Sequence, residues 1–307
     1  MRNIGLAIAA WLLLAGAAAG APCEAVWRDA ARGRDVPVRL DLPARPEGAA
    51  VILYSHGLGD SNAGGGMWKA AWTAAGFAVL SVQHVGSDDS LIKGAASQEE
   101  ADKALRAAES AKELFARVAD MKFALDRLQA HAPVGACATT GLDLTKVGVG
   151  GHSYGAYTTQ LLAGERLGSL NLADPRLKAA LVLSPSPPPF GTVEQAFGPV
   201  AVPVMMVTGT ADQTSAQSLS AEERVKPYAG LTPGEKYLLV LDGGRHHELG
   251  GAEDLRSTAP HKAKLIIDAS TAFWRAELLG DRQAADFLKA PAGFHAELGG
   301  ADRFEAK

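Results

Sequence analysis

Short unbroken apolar runs alternate along this chain with longer stretches of helical period. The runs at residues 49–55, 77–82, 144–149, 179–183, 204–207 and 237–241 are too short for buried helices and show no polar alternation, so they predict strands covered on both faces. Val36, Val38, Leu40 and Leu42 instead alternate around Arg39 and Asp41, after an extended segment at 25–29, as expected of an antiparallel edge with one wet face. Between the strands the period changes. Residues 67–75 predict a short helix closed by Gly76, with Trp68 and Trp72 one turn apart. Ser97 and Glu100 form a capping box for a helical stretch that ends near His131, with Leu114, Val118, Met121, Leu125 and Leu128 on one stripe. A stretch this long is expected to break once. Residues 262–279 predict a closing helix with Leu265, Ile266, Ala269 and Phe273 inward. Strands alternating with helices make an α/β protein with a mostly parallel central sheet and helices on both faces, in which 237–241 is the last strand expected.

Composition narrows this picture. With 307 residues, 47% of them hydrophobic, and no linker-like segment, the chain predicts one large core. Met1-Arg2-Asn3, an apolar run to residue 21 and its Ala- and Gly-rich end have the layout of a secretory signal peptide cut after Ala19 or Ala21. The expected organisation is therefore a leader over 1–21 and a single domain over 22–307, exported to a periplasmic or extracellular location, with no stable membrane span after cleavage. A net charge of −4 without a basic block predicts no nucleic-acid partner. The two cysteines, Cys23 and Cys137, predict one disulfide in an exported protein.

The chemistry centres on Gly151-His152-Ser153-Tyr154-Gly155, between the run at 144–149 and a small-residue helix at 156–164. A strand that turns this sharply into a helix brings the residues two before and two after the serine almost into contact, which glycine allows, and lifts the hydroxyl clear of the sheet. A serine nucleophile needs a base and an orienting acid. Asp212 follows the 204–207 run and His246 follows the 237–241 run, so both sit past strand carboxyl ends on the serine's edge. Asp242 is the rival acid, but only four residues separate it from His246. His152 is assigned a structural role. His56 and His84, on crevice loops, are taken as substrate-binding or loop-bracing, and Trp68, Tyr154 and Phe190 as pocket walls. Residues 184–203 leave no room for a cap domain, which predicts an open pocket for short acyl groups. Consecutive side chains at His246-His247-Glu248 diverge, so no metal and no cofactor is expected.

Four segments in order, Tyr54-Ser55-His56-Gly57-Leu58-Gly59, Gln83-His84-Val85-Gly86-Ser87-Asp88, Gly151-His152-Ser153-Tyr154-Gly155-Ala156 and Gly243-Gly244-Arg245-His246, resemble the α/β-hydrolase group known as predicted dienelactone hydrolases, related to platelet-activating-factor acetylhydrolase. The resemblance implies an α/β-hydrolase fold without a large cap. It also implies Ser153 as nucleophile, Asp212 as acid, His246 as base, and the Leu58 and Tyr154 N–H groups as oxyanion hole. One feature departs from it: dienelactone hydrolases use a cysteine nucleophile. The expected activity is that of a serine carboxylesterase on a small-molecule ester. The alternatives are a serine peptidase or amidase on the same fold, or a non-catalytic binding protein.

Overall fold

The computed structural model describes residues 20–214, 219–251 and 254–307. The expected leader lies outside them up to residue 19. In chain order the strands are β1 (Cys23–Asp29), β2 (Arg34–Asp41), β3 (Ala50–Ser55), β4 (Ala78–Val82), β5 (Asp143–His152), β6 (Arg166–Leu167), β7 (Leu170–Asn171), β8 (Leu177–Leu183), β9 (Val204–Ala211), β10 (Lys236–Arg245) and β11 (Arg303–Ala306). Among the described residues they build a nine-stranded sheet in the order β1-β2-β4-β3-β5-β8-β9-β10-β11, with β6 and β7 as a separate hairpin. Neighbours from β4 through to β10 run parallel, and β1, β2 and β11 add antiparallel edges. The protein is thus a mixed α/β structure with a large, mostly parallel central sheet. The last strand expected was the run at 237–241, yet β11 follows it. Its alternation of Arg303 and Glu305 with Phe304 carries too little apolar signal, and Phe304 pairing with Leu239 of β10 supplies the rest.

The helices are α1 (Gly66–Ala74), α2 (Ser90–Lys93), α3 (Gln98–Ala108), α4 (Ala111–Gln129), α5 (Tyr154–Ala163), α6 (Val193–Phe197), α7 (Ala221–Gly230), α8 (His246–Leu249), α9 (Leu255–Thr258), α10 (Pro260–Leu279) and α11 (Arg282–Lys289). The long helical stretch breaks between α3 and α4, where Ser110 Oγ accepts the Glu113 N–H and caps a new helix. Alternate residues of the central strands feed two cores. Val51 and Leu53 pack with Val118, Met121 and Leu125 of α4 and Leu161 of α5, whereas Ile52 and Tyr54 pack with Trp72 of α1 and Phe273 and Trp274 of α10. Both faces of β3 are covered, which explains why its run is unbroken by polar residues. Only the five-residue α6 lies between Ser184 and Pro203.

Cys23 at the start of β1 and Cys137 before β5 are joined in a disulfide across 114 residues of sequence. Closing so long a loop stabilises the fold by up to about 5 kcal/mol in the chain-entropy view. Among the described residues no helix is long and apolar enough to cross a membrane.

Candidate active site

Sheet register gathers the site. His152 pairs with Leu183 across β5 and β8, and Ala211 pairs with Arg245 across β9 and β10. The next residue in each case, Ser153, Ser184, Asp212 and His246, therefore leaves the same edge of the sheet beside its neighbour. Gly209 and Gly244 bring the last two strand ends together, since a Cβ on Gly209 would strike the Gly244 backbone.

At the end of β5 the chain turns through Ser153 with φ 56° and ψ −116°, a left-handed conformation that strains a residue with a side chain. A Cβ on Gly155 would be driven into the Ser55 carbonyl and one on Gly151 into the Gly155 carbonyl, so both elbow glycines answer a close backbone approach. The Ser153 N–H is held by the Leu183 carbonyl at 3.0 Å.

From Ser153 a continuous chain of hydrogen bonds runs inward. Ser153 Oγ lies 2.9 Å from His246 Nε2, and His246 Nδ1 lies 2.7 Å from Asp212 Oδ1. Asp212 is fully buried. Burial alone would raise its pKa, but the His246 hydrogen bond and the Arg224 charge outweigh this and hold the carboxyl below its ordinary value. Asp242, the rival acid, is exposed and takes no part; its N–H donates to Asp302. His247 is exposed beside His246. The four-residue α8 starts at His246, where the Arg245 N–H donates to Glu248 Oε2 at 2.8 Å and fixes that start.

Three partners of the acid escaped the sequence reading. Thr208 Oγ1 donates to Asp212 Oδ2 at 2.7 Å, and Ser184 Oγ donates to Oδ1 at 3.0 Å while lying 3.0 Å from His246 Nδ1. Buried Arg224 of α7 donates from Nε to the Asp212 carbonyl at 3.0 Å and lies 3.1 Å from Oδ1. Ser184, with φ 65°, could have been suspected as a polar residue closing an apolar strand. Arg224 has no comparable sequence signal.

Ser153 and His246 open into a cleft of about 390 Å³ whose walls include Leu58, Asp60, His152 and His247. Neither the Leu58 N–H nor the Tyr154 N–H makes a hydrogen bond among the described residues, so both are free to receive an oxyanion. No protein-family model and no curated protein matches this chain. Its functional reading therefore rests on the geometry.

Several expected pocket residues lie elsewhere. His56 and His84 are fully buried braces: the His84 N–H donates to His56 Nε2 at 3.1 Å, which leaves His56 Nδ1–H to donate to the Gly57 carbonyl at 2.6 Å. Burial, aided by the Arg117 charge, pushes the His56 pKa well below its usual value. Arg117 donates to the His56 carbonyl and lies over the Tyr154 ring at 4.8 Å, so one buried guanidinium ties the Leu58 loop to the start of α5. Trp68 is also buried, with Nε1 donating to the Leu249 carbonyl at 3.0 Å; it backs the cleft wall without entering it. Each of these side chains found a partner in the core that no local pattern announces. Phe190 is exposed and lines, with Tyr154, Tyr157 and Pro187, a separate apolar groove of about 770 Å³. His152, assigned a structural role, lines the cleft as well: it lies with its ring 4.7 Å from that of His246 and its Nε2 2.9 Å from the His246 carbonyl.

Proposed function

We propose that the protein is an exported serine hydrolase that cleaves small carboxylic esters through an acyl-enzyme, on an α/β-hydrolase fold without a large cap. The observation that carries this reading is the Ser153–His246–Asp212 hydrogen-bond chain opening at a strained elbow into an accessible cleft. Strand order supports the fold assignment: the nucleophile follows β5, the acid β9 and the base β10, in the sequence that the four motifs imply. The disulfide supports export, since such bonds persist in oxidising compartments.

In this reading Ser153 Oγ attacks the ester carbonyl carbon while its proton passes to His246 Nε2. Asp212, kept ionised by its partners, orients the ring and stabilises the imidazolium through Nδ1–H. The carbonyl oxygen becomes an oxyanion facing the Leu58 and Tyr154 N–H groups, each donor contributing about 3 kcal/mol to the transition state in comparable enzymes. When the C–O bond to the alcohol breaks, His246 returns its proton to the leaving oxygen. Water, deprotonated by His246 in turn, then attacks the acyl-enzyme, releases the acid and restores Ser153.

A fluorophosphonate probe should label the protein at Ser153, and kcat/KM on nitrophenyl esters should be highest for short acyl chains, as the small cleft suits. Absence of labelling together with absence of ester turnover would overturn the proposal.

A further inference from the structure

The cleft beside Ser153 carries an unbalanced set of polar groups. Among the described lining residues Asp60 is the one with a carboxylate, and none is Lys or Arg. Asp60 Oδ1 accepts the Ser61 N–H at 2.7 Å, and among the described residues no cation forms a salt bridge with the carboxylate, which feels the buried Lys69 and Arg117 charges only at longer range. Lys69 Nζ itself donates to the Asn62 carbonyl at 2.7 Å. A carboxylate has room for about four hydrogen bonds, so most of this one's capacity is unspent.

Its placement is rigid. The Asp60 carbonyl accepts the Asp89 N–H at 2.9 Å, and Asp60 and Asp88 form a parallel bridge. Gly64 lies so close that a Cβ there would overlap the carboxylate, and the wall beyond it is Gly65 and Gly66. His152 adds a second acceptor. Its Nε2–H is committed to the His246 carbonyl, and Nδ1 lies against Gly57 and Gly250, both of which line the cleft. The ring stays neutral because burial and the neighbouring His246 push its pKa down to about 3.

A carboxylate with a single hydrogen bond, beside a neutral imidazole, favours a ligand that brings positive charge and penalises one that brings negative charge. We propose that Asp60 is a specificity-determining residue which selects esters whose alcohol carries a cationic ammonium group. This inference rests on the hydrolase reading above. The alcohol side is assigned because the leaving oxygen must take its proton from His246 Nε2, which lines the same cleft as Asp60. The same charge disfavours carboxylate-bearing substrates, a class that would call for an arginine or lysine in the cleft wall.

Three acetate esters of similar size test the idea: those of 3-(trimethylammonio)propanol, 4,4-dimethylpentanol and 4-hydroxybutanoate, followed by pH-stat at pH 8, where Asp60 is ionised although burial raises its pKa. The intact protein should prefer the cationic ester over its neutral isostere by about tenfold in kcat/KM, with the anionic ester slowest. Asp60→Asn should bring the cation-to-neutral ratio close to one, whatever it does to the rates themselves. Raising the salt concentration should shrink the same ratio in the unaltered protein, a measurement that decides the matter if the variant fails to fold. A ratio indifferent to both changes, or a preference for the neutral or anionic ester, overturns the inference while leaving the hydrolase reading intact. If no ester is cleaved and no probe labels Ser153, the hydrolase reading itself fails. Calorimetric titration of the protein with the cationic alcohol alone, against Asp60→Asn, then still decides whether Asp60 holds a cation.

Discussion

Among the described residues two Ser–His–Asp chains share nearly the same hydrogen bonds and differ in their access to solvent. Ser55 Oγ lies 3.0 Å from His84 Nε2, and His84 Nδ1 lies 3.1 Å from Asp120 Oδ2. The corresponding distances through Ser153, His246 and Asp212 are 2.9 and 2.7 Å. Yet Ser55, His84 and Asp120 are all fully buried, and Ser55 is the last residue of β3, with no strained turn and no cleft. Asp120 is also claimed by Arg32 at 2.7 Å and Arg34 at 2.8 Å, and Arg117 Nη2 lies 3.4 Å from Ser55 Oγ. Burial and the Arg117 charge push the His84 pKa down to about 4 despite its carboxylate partner. So low a pKa disfavours the imidazolium that an attacking serine would leave at neutral pH. Triad distances are thus a hydrogen-bonding pattern. Nucleophilic use adds access and free oxyanion donors.

Breaking each serine should separate the two most widely. Ser153→Ala should lower kcat on a short ester by on the order of a million-fold, whereas Ser55→Ala should cost stability and change kcat by less than tenfold. Steady-state kinetics on both variants checks this, and a comparable loss from Ser55→Ala would undo the distinction. The base comes next. His246→Ala should be nearly inactive, by several orders of magnitude, and His247→Ala should retain most activity, since only His246 touches both Ser153 and Asp212.

A smaller effect tests whether the buried network serves the open one. Arg117 bridges the His56 carbonyl and Tyr154, so Arg117→Lys should loosen the oxyanion donors and lower kcat by about ten- to a hundredfold with little change in KM. A rise in KM at unchanged kcat would instead place Arg117 in ground-state binding. The smallest effect is on stability. Because the folded His84 titrates near 4 and an unfolded histidine near 6.5, its contribution is complete above about 6.5 and is lost as pH falls toward 4. His84→Gln should therefore reduce the slope of unfolding free energy against pH in that window by about one proton, or about 1.4 kcal/mol per pH unit. Urea denaturation at a series of pH values measures it.

Much of this architecture is a property of consecutive residues. An unbroken run such as 49–55 has to be covered on both faces, and Gly151 and Gly155 flank a turn that no larger residue fits. The placement of Ser153, Asp212 and His246 past strand ends follows from the same local patterns together with the parallel sheet. What the tertiary structure alone decided is which polar side chains meet. Ser184 contacts Asp212 and His246 from 28 and 62 residues away, and Arg224 reaches Asp212 from a helix with no distinctive pattern. His56, His84 and Trp68 stand beside crevice segments in sequence but turn into the core, while His152 and Asp60 face the cleft. Periodicity reports the faces that an element buries. Whether a given polar group ends paired in the core or unpaired at the cleft depends on partners from distant elements, and only their packing brings those partners within reach.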